Sequence, residues 1–281
     1  MQWRERCGIL TDEVSEDFHT ALEWVGRQGL GAVEIRQAWG NNVVDLRRPQ
    51  IRAMAQLLRE QGLAVAGIAS PVFKCALDPA RAPVTAGDRF GTREEPVARH
   101  YEWLETALEL AAALDAPHVR IFSFWREARP DDHRSAILDH LGRASALAEA
   151  YRIPLVLENE PACNGGSHQE VVDLVRAVGS PYLLVLWDPG NDAFQGKMSF
   201  ERLTLPQHVH LKDVAVRPTG GRDIVPLGRG VVPWRDILAG LNRDGYLGRY
   251  VLEPHVKDEE GLEASVRGLW DLLDSSVTED A

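Results

Sequence analysis

Two kinds of segment alternate along the chain, and they differ in the spacing of their apolar residues. Short runs that are almost continuously apolar recur through the sequence, separated by longer segments whose apolar residues lie three or four positions apart. The first pattern is typical of strands buried on both faces of a parallel sheet, and the second of amphipathic helices. The pattern predicts strands at residues 7–11, 32–36, 64–69, 118–122, 154–158, 183–188, 208–212 and 249–252.

A helical segment follows each predicted strand, and no linker or change of composition interrupts the series. We therefore expect an α/β fold in which residues 1–281 form one domain. Eight units favour a closed (β/α)8 barrel, the TIM barrel, which is typically about 250 residues long. A doubly wound open sheet is the alternative, but no glycine-rich phosphate loop follows the first strand.

Local signals predict where some of the helices begin and end. Ser15 is predicted to cap the first helix, and Gly29 and Gly62 to stop the first and second. Further helices are predicted at residues 96–114 and 137–151 and, as a short one, near residues 200–203. Residues 76–95 are rich in Pro, Gly, Asp and Arg without any period, and a loop of this length is usually functional or disordered.

Four of the late strands carry a polar residue that is able to bind a metal ion. Glu158, Asp188 and Glu253 each end an apolar run, and His210 lies on a strand on which His208, His210 and Lys212 share one face. A single acid at a strand end usually caps a helix or forms an ion pair. Four such residues at the same end of successive strands instead favour a metal site, which a barrel would assemble. Three oxygen donors and one imidazole suit one divalent ion, Mn²⁺, Mg²⁺, Co²⁺ or Zn²⁺.

Other polar and aromatic residues near the strand ends have a structural and a functional interpretation. His208 is predicted to be structural, while Glu34 and Arg36 form either an internal ion pair or a contact to substrate. Lys212 is expected to hold a substrate oxygen or to pair with Glu160 or Glu253. The remaining candidates are Glu160 and His255 at a pocket rim, and Phe73 and Trp125 as either an apolar wall or core.

The composition of the chain limits the kinds of molecule that the protein is expected to bind. The net charge of −11 argues against a nucleic-acid partner, because phosphate binding needs clustered Lys and Arg. The three cysteines are scattered without a CxxC pair, which fits a reducing cytoplasm. The first residues are charged too early for a signal peptide, and no apolar run approaches the roughly 18 residues of a membrane helix. We expect a cytoplasmic protein with a small-molecule partner and no membrane partner; a homo-oligomer is left open.

Several stretches of the sequence resemble the sugar phosphate isomerase/epimerase family of xylose-isomerase-like barrels. They are Glu158-Asn159, Trp187-Asp188-Pro189-Gly190-Asn191, His208-Val209-His210-Leu211-Lys212-Asp213 and Leu252-Glu253, with Val33-Glu34-Ile35-Arg36 and Ser70-Pro71-Val72-Phe73-Lys74 earlier in the chain. The resemblance covers most of the chain. It implies a TIM barrel with one divalent metal held by Glu158, Asp188, His210 and Glu253.

The resemblance also implies a reaction, because isomerases and epimerases of this family move a proton next to a carbonyl group. We expect an enzyme of carbohydrate metabolism that acts on a polyhydroxy substrate: a sugar, keto-sugar or cyclitol, with or without a phosphate group. A metal such as manganese on the substrate oxygens would lower the cost of a developing enediolate, and Glu158 and Glu253 would move the proton as catalytic residues.

Three alternatives compete with this interpretation. A lyase or dehydratase could use the same site, since an enediolate can also expel a leaving group. An endonuclease IV-like nuclease would need a histidine-rich multi-metal cluster, which the strand ends after Ala69 and Phe122 do not supply. A non-catalytic barrel is disfavoured by the four intact ligands.

Two positions depart from the family's pattern, and both concern the substrate. Asn191 stands where several ketose epimerases carry a histidine, and Gly228-Arg229-Gly230 stands where relatives often place a glutamate between two glycines. Lys212, Glu160 and Asn191 are predicted to contact substrate. Arg229 is predicted to hold an anionic group, because guanidinium groups bind phosphate or carboxylate bidentately and glycines let backbone N–H groups approach an anion. A solvated surface loop is the alternative.

Overall fold

Eight parallel strands close into a barrel in the computed structural model, which describes residues 4–199, 204–256 and 258–277. Each strand pairs with its neighbours in chain order, and the last pairs with the first. The strands are β1 Cys7–Leu10, β2 Ala32–Ile35, β3 Ala64–Ile68, β4 Val119–Ile121, β5 Leu155–Glu158, β6 Leu183–Trp187, β7 His208–Leu211 and β8 Tyr250–Leu252. The predicted (β/α)8 barrel is confirmed.

Helices follow the strands and cover the outside of the barrel. They are α1 Phe18–Arg27, α2 Arg48–Gln61, α3 Val97–Ala113, α4 Arg134–Tyr151, α5 His168–Val178, α6 Pro189–Phe194, α7 Trp234–Arg243 and α8 Glu259–Val277. Shorter helical turns lie at Thr11–Val14, Arg4–Arg6, Val43–Asp45 and Pro130–His133. None of the helices in the described residues combines the length and apolarity needed to cross a membrane.

The structure corrects one of the predicted helix starts. Helix α1 is capped by Asp17, whose Oδ1 accepts the backbone N–H of Thr20 at 2.8 Å, and not by Ser15. The turn Thr11–Val14 occupies the residues directly after β1, so the chain enters α1 two residues later than predicted. Gly62 ends α2 in the left-handed conformation, with φ of 64°, as predicted.

The short helix predicted near residues 200–203 falls outside the described residues. A short helix that the sequence did not predict, α6, begins directly after Asp188. Pro189 has a preset φ suited to the first helical position, and Asp188 Oδ1 accepts the backbone N–H of Asn191 at 3.0 Å as the cap.

Part of the loop predicted after β7 is a hairpin. Asp213–Val216 pairs with Arg222–Val225 in antiparallel fashion, and Gly220, with φ of 86°, lies in the turn that joins them. Residues 76–95, by contrast, contain no helix or strand, as their lack of period predicted.

Apolar and polar side chains both occur on the strands at the centre of the barrel; Leu10 is level with Glu34, and Val251 is level with His210. Leu10, Ala32, Ala66, Ala69 and Val251 form a small buried cluster that is separate from the main core between strands and helices. The other buried side chains associated with the strands include Glu34, Arg120, Glu158, His208 and His210. Buried charged groups need partners, and these partners create the site described next.

Candidate active site

The four predicted metal ligands meet at the carboxyl end of the barrel. Glu158 is the last residue of β5, Asp188 and Glu253 directly follow β6 and β8, and His210 lies in β7. One nitrogen or oxygen atom from each side chain lies within 4.8 Å of the corresponding atom of every other, and all four residues are buried. His210 Nδ1 is 3.6 Å from Glu158 Oε1 and 3.4 Å from Glu253 Oε2. The fold thus assembles the cluster from four separate strands.

Glu34 on β2 orients the imidazole of His210. The Nε2–H of His210 donates to Glu34 Oε2 at 2.9 Å, which turns Nδ1 towards Glu158 and Glu253. A carboxylate behind the imidazole is the usual arrangement for a metal-binding histidine, because it fixes both the tautomer and the ring. Burial disfavours the charged imidazole, but Glu34 and the neighbouring glutamates outweigh it, so the pKa of His210 lies well above its ordinary value.

Lys212 and Asn191 lie against the same cluster. Lys212 Nζ donates to Asp188 Oδ2 and Glu253 Oε2, both at 2.9 Å, and to Asn191 Oδ1 at 3.1 Å. These carboxylates outweigh burial and raise the pKa of Lys212, so the ammonium stays charged. A Cβ atom at Gly190 would lie only 2.6 Å from Lys212, so glycine is required there for the lysine to reach the cluster.

Two buried arginines hold the glutamates, and the sequence did not assign either of them a role at the ligand cluster. Arg120 Nη1 lies 3.1 Å from Glu158 Oε2, and Arg36 Nη1 donates to Glu253 Oε1 at 2.8 Å. Arg36 also contacts Asp12 and Glu13, the acids just beyond β1. An arginine inside the apolar run Val119-Arg120-Ile121 was the available signal for the first of the two.

Both glutamates are stabilised as carboxylates. Burial raises the pKa of Glu158, but Arg120 and His210 outweigh it, and the pKa lies below its ordinary value. For Glu253, Lys212 and His255 outweigh burial, and the pKa lies well below its ordinary value. Each side chain is therefore a negatively charged carboxylate at neutral pH and can accept a proton.

A cavity of about 270 Å³ opens onto the cluster. Glu158, Glu253, Asn191 and Lys212 lie in its wall, as do Glu160 and His255. This volume is near the lower end of the range for small-molecule sites. Since the cavity is lined by polar groups at the carboxyl ends of the strands, it is positioned as an active site of this fold.

The segment of residues 76–95 supplies one wall of the cavity. Phe90 lies on this segment and is buried, with its ring centre 3.9 Å from Lys74 Nζ, 4.7 Å from Arg36 Cζ and 5.1 Å from Arg120 Cζ. Asn42 Nδ2 donates to the carbonyl oxygen of Phe90 at 3.1 Å. The sequence did not identify Phe90 as a site residue, because a segment without period gives no sign of what it covers. Lys74, which precedes this segment, was not identified either.

Glu160 and His255 both line the cavity, Glu160 half-buried and His255 exposed, and each has a partner of its own. Glu160 Oε2 accepts from Lys74 Nζ at 2.9 Å and makes no contact with Lys212, so the second of the two pairings considered for Lys212 is the one observed. His255 Nδ1 lies 2.8 Å from Glu13 Oε1.

Arg229 is exposed and does not line the cavity. The backbone N–H groups of Gly228 and Gly230 both donate to Asp213 Oδ2 at 2.9 Å, so these donors are used within the chain. A Cβ atom at Gly230 would lie 2.1 Å from Asp213 Oδ1, which explains this glycine without any ligand. A contact between Arg229 and an anionic substrate stays a prediction.

The remaining aromatic and imidazole candidates lie away from the cluster. His208 donates from Nε2 to Glu34 at 2.8 Å and packs against His118, with ring centres 4.5 Å apart. Phe73 stacks on Phe124 at 4.7 Å, and Trp125 is buried, with its Nε1–H donating to Glu94. Phe73 therefore packs in the core, the second of the two interpretations offered for it. Trp125 lines a second cavity, formed with the segment of residues 76–95, so a wall role for Trp125 stays a prediction.

Comparison with known proteins was made at the level of sequence and of structure. A sequence model for the family described as xylose isomerase-like TIM barrel matches residues 22–272. No curated protein matches the chain.

Several solved structures share the fold at low sequence identity. A xylose isomerase-like TIM barrel protein from Mycobacterium smegmatis, in complex with magnesium, has a TM-score of 0.68 at 15% identity, with 98% of this chain and 97% of that chain covered. The 3-keto-D-glucoside 4-epimerase from E. coli has a TM-score of 0.69 at 16% identity, covering 96% and 99%. The IOLI protein with a bound zinc atom has a TM-score of 0.70 at 15% identity, covering 98% of both chains.

Proposed function

The chain belongs to the xylose isomerase-like TIM barrel family, and we propose that it is a divalent-metal-dependent isomerase or epimerase of a sugar, keto-sugar or cyclitol. The observation that carries this proposal is the convergence of Glu158, Asp188, His210 and Glu253 in one buried cluster, of which Glu158 and Glu253 line a small cavity. The epimerase from E. coli shares the fold, which supports an enzyme of this kind.

The buried cluster has an unsatisfied atom that a cation would satisfy. His210 Nδ1 is buried and has no hydrogen-bond partner among the described residues; the carboxylate oxygens of Glu158 and Glu253 lie 3.6 and 3.4 Å from it. Such atoms are uncommon in folded proteins and call for an explanation. Three carboxylates and one imidazole form a donor set for Mn²⁺, Mg²⁺, Co²⁺ or Zn²⁺. Structures of this fold that hold magnesium or zinc support one divalent ion on these four residues.

Glu158 and Glu253 are the proposed pair that removes and returns the substrate proton. Both line the cavity and both are ionised, so either can accept a proton from a substrate carbon and return it as the carboxylic acid that this transfer creates. Return of a proton to the opposite face of the carbon requires that the other glutamate has first taken up a proton from solvent. Arg120 and Arg36 hold the two carboxylates in place. When bound, a divalent ion supplies Lewis-acid stabilisation of the negative charge that develops on the substrate oxygens.

Lys212 and Asn191 are proposed to contact the substrate oxygens near the reacting carbon. Their polar atoms lie within 3.1 Å of each other, and both residues line the cavity. The ammonium can donate to an oxygen that becomes more negative during the reaction, and the amide can donate or accept.

The test is proton exchange in heavy water. The purified protein, supplied in turn with each of the four metals, is incubated with a panel of keto-sugars and cyclitols, and deuterium incorporation is followed by NMR. Metal-dependent exchange with rearranged product is expected. A product that has lost water would assign the site to a lyase instead, and no exchange or product with any member of the panel would reject an enzyme of either kind.

A further inference from the structure

Both lysines in the cavity wall already have a carboxylate partner. Lys74 Nζ lies 2.9 Å from Glu160 Oε2, and Lys212 Nζ lies 2.9 Å from oxygens of Asp188 and Glu253. Among the described residues that line the cavity, no other lysine and no arginine occurs. The three donors of Lys212 are all used, on Asp188, Asn191 and Glu253. An anionic group that approached the ammonium of Lys74 would also meet the carboxylate of Glu160 beside it.

Acidic groups outnumber permanent cations around the cavity. The wall itself carries four carboxylates against two lysines. With the charged groups that surround the four candidate ligands, the acids are Asp12, Glu13, Glu34, Asp88, Glu158, Glu160, Asp188 and Glu253, and the cations are Arg36, Lys74, Arg120 and Lys212. A divalent ion would reduce the negative excess without removing it. A phosphate or carboxylate would therefore meet a region of like charge.

Another part of the cavity wall suits hydroxyl groups instead. The Lys74–Glu160 pair presents a donor and an acceptor side by side, which matches a hydroxyl group because a hydroxyl both donates and accepts. The ring of Phe90 packs against the same lysine and offers an apolar surface beside it. Asp88, exposed on the same wall, adds a further acceptor.

From these contacts we infer that the substrate is an uncharged polyhydroxy compound, and that the Lys74–Glu160 pair recognises the hydroxyl groups at its non-reacting end. This inference rests on the proposed isomerase or epimerase function and specifies its substrate class. It assigns Lys74 and Glu160 to specificity, separate from the residues that hold the metal or move the proton.

The experiment compares neutral and phosphorylated forms of the same sugars. Dissociation constants of keto-hexoses and of their terminal phosphate esters are measured by calorimetry on the Mn²⁺-loaded protein, alongside proton exchange in heavy water. We expect each phosphate ester to bind at least about 10-fold more weakly than its parent sugar, since like charges across an interface strongly disfavour binding.

A substitution that removes the negative charge of the Lys74–Glu160 pair tests whether this pair determines specificity. Glu160→Gln keeps the shape and the acceptor oxygen but frees the ammonium of Lys74, so the discrimination against phosphate esters should shrink by about 10-fold. Glu105→Gln, an exposed glutamate on α3, removes the same charge elsewhere and should leave the discrimination unchanged.

The outcomes separate the two proposals. Exchange by the wild type with phosphate esters that bind as tightly as the neutral sugars, or more tightly, overturns the uncharged substrate and leaves the isomerase or epimerase standing. Discrimination that is the same in Glu160→Gln as in the wild type removes the Lys74–Glu160 pair from specificity. If no sugar of either kind binds or exchanges, the proposed function fails and the inference fails with it.

Discussion

The imidazole Nε2 of His210 on β7 lies 2.9 Å from a carboxylate oxygen of Glu34 on β2, although β1 and β8 separate these two strands in the barrel. The same oxygen accepts from His208, so a single buried carboxylate orients two histidines of β7. The sequence offered an ion pair between Glu34 and Arg36 as one account of these residues. The structure pairs Arg36 with Asp12, Glu13 and Glu253 instead, which leaves Glu34 to the histidines.

Glu34→Gln should weaken metal binding although Glu34 does not belong to the ligand cluster. The glutamine amide lacks the negative charge with which Glu34 fixes the orientation of the His210 imidazole. Loss of such a supporting group typically lowers metal affinity by about 10–100-fold. Titration calorimetry with Mn²⁺ measures the change, and circular dichroism checks the fold. Glu105→Gln is the control. An unchanged affinity in a folded Glu34→Gln protein would mean that the orientation of His210 does not matter.

Removing a proposed ligand should remove the metal itself. We expect about one divalent ion per chain in the wild type and much less in Asp188→Ala or His210→Ala, because each substitution removes one of four donor groups. Elemental analysis after gel filtration measures the content. Equal metal content in the wild type and in both variants would show that the ion, if present, is bound elsewhere.

Glu158→Gln and Glu253→Gln should separate catalysis from metal binding. Each amide retains an oxygen that can bind a cation but cannot act as a base at neutral pH. Since general acid–base catalysis typically contributes about 10²–10⁴-fold, turnover should fall far more than metal content. Proton exchange per bound metal is the measurement, and a variant that keeps near-normal exchange would be assigned to metal binding alone.

Arg229→Ala distinguishes an anionic substrate group from an uncharged one. If Arg229 held an anionic group, the substitution would raise KM for an anionic substrate and leave KM for its neutral analogue nearly unchanged. We expect no change for either, because Arg229 is exposed and lies outside the cavity wall. A selective rise for the anionic substrate would restore the sequence-based hypothesis.

His100 should make the fold less stable in acid. Burial lowers the pKa of His100 to about 4 from an ordinary value of 6.5, and Nδ1 accepts the backbone N–H of Phe73 at 2.9 Å. Protonation therefore favours the unfolded chain. The contribution of neutral His100 to the free energy of unfolding is fully present above pH 6.5 and is lost as the pH falls from 6.5 towards 4. Between pH 7 and 4.5 this loss amounts to about 2 kcal/mol.

The matching measurement is urea unfolding at both pH values for the wild type and His100→Gln. The free energy of unfolding of the variant should depend less on pH by about 2 kcal/mol. Parallel pH dependence in the two proteins would assign the acid sensitivity to other groups.

The strands and the ligand cluster could be predicted because both depend on short-range patterns combined with one rule of topology. Apolar runs mark buried parallel strands, and the carboxyl ends of such strands share one edge of a barrel. Glu158, Asp188, His210 and Glu253 could therefore be placed together without any knowledge of their side-chain contacts.

The remaining site residues depend on contacts between distant parts of the chain. Glu34 could be assigned to the interior, but whether it meets Arg36 or His210 is decided by which side chains face it across the barrel. Phe90 reaches the cavity from a segment with no helix or strand, so its position follows from contacts such as that with Asn42 and not from a local pattern. Helix α6 was missed because it is only 6 residues long, fewer than two turns, and starts directly after a strand end.

The cations Arg36, Arg120 and Lys212 have a practical consequence for handling the protein. These three side chains form ion pairs with the carboxylates that are proposed to bind the metal. When a chelator removes the metal, the carboxylates therefore still have positively charged partners. We expect such a preparation to stay folded and monodisperse while showing no turnover. A purified sample that is inert towards every sugar should therefore be resupplied with metal before its substrates are judged.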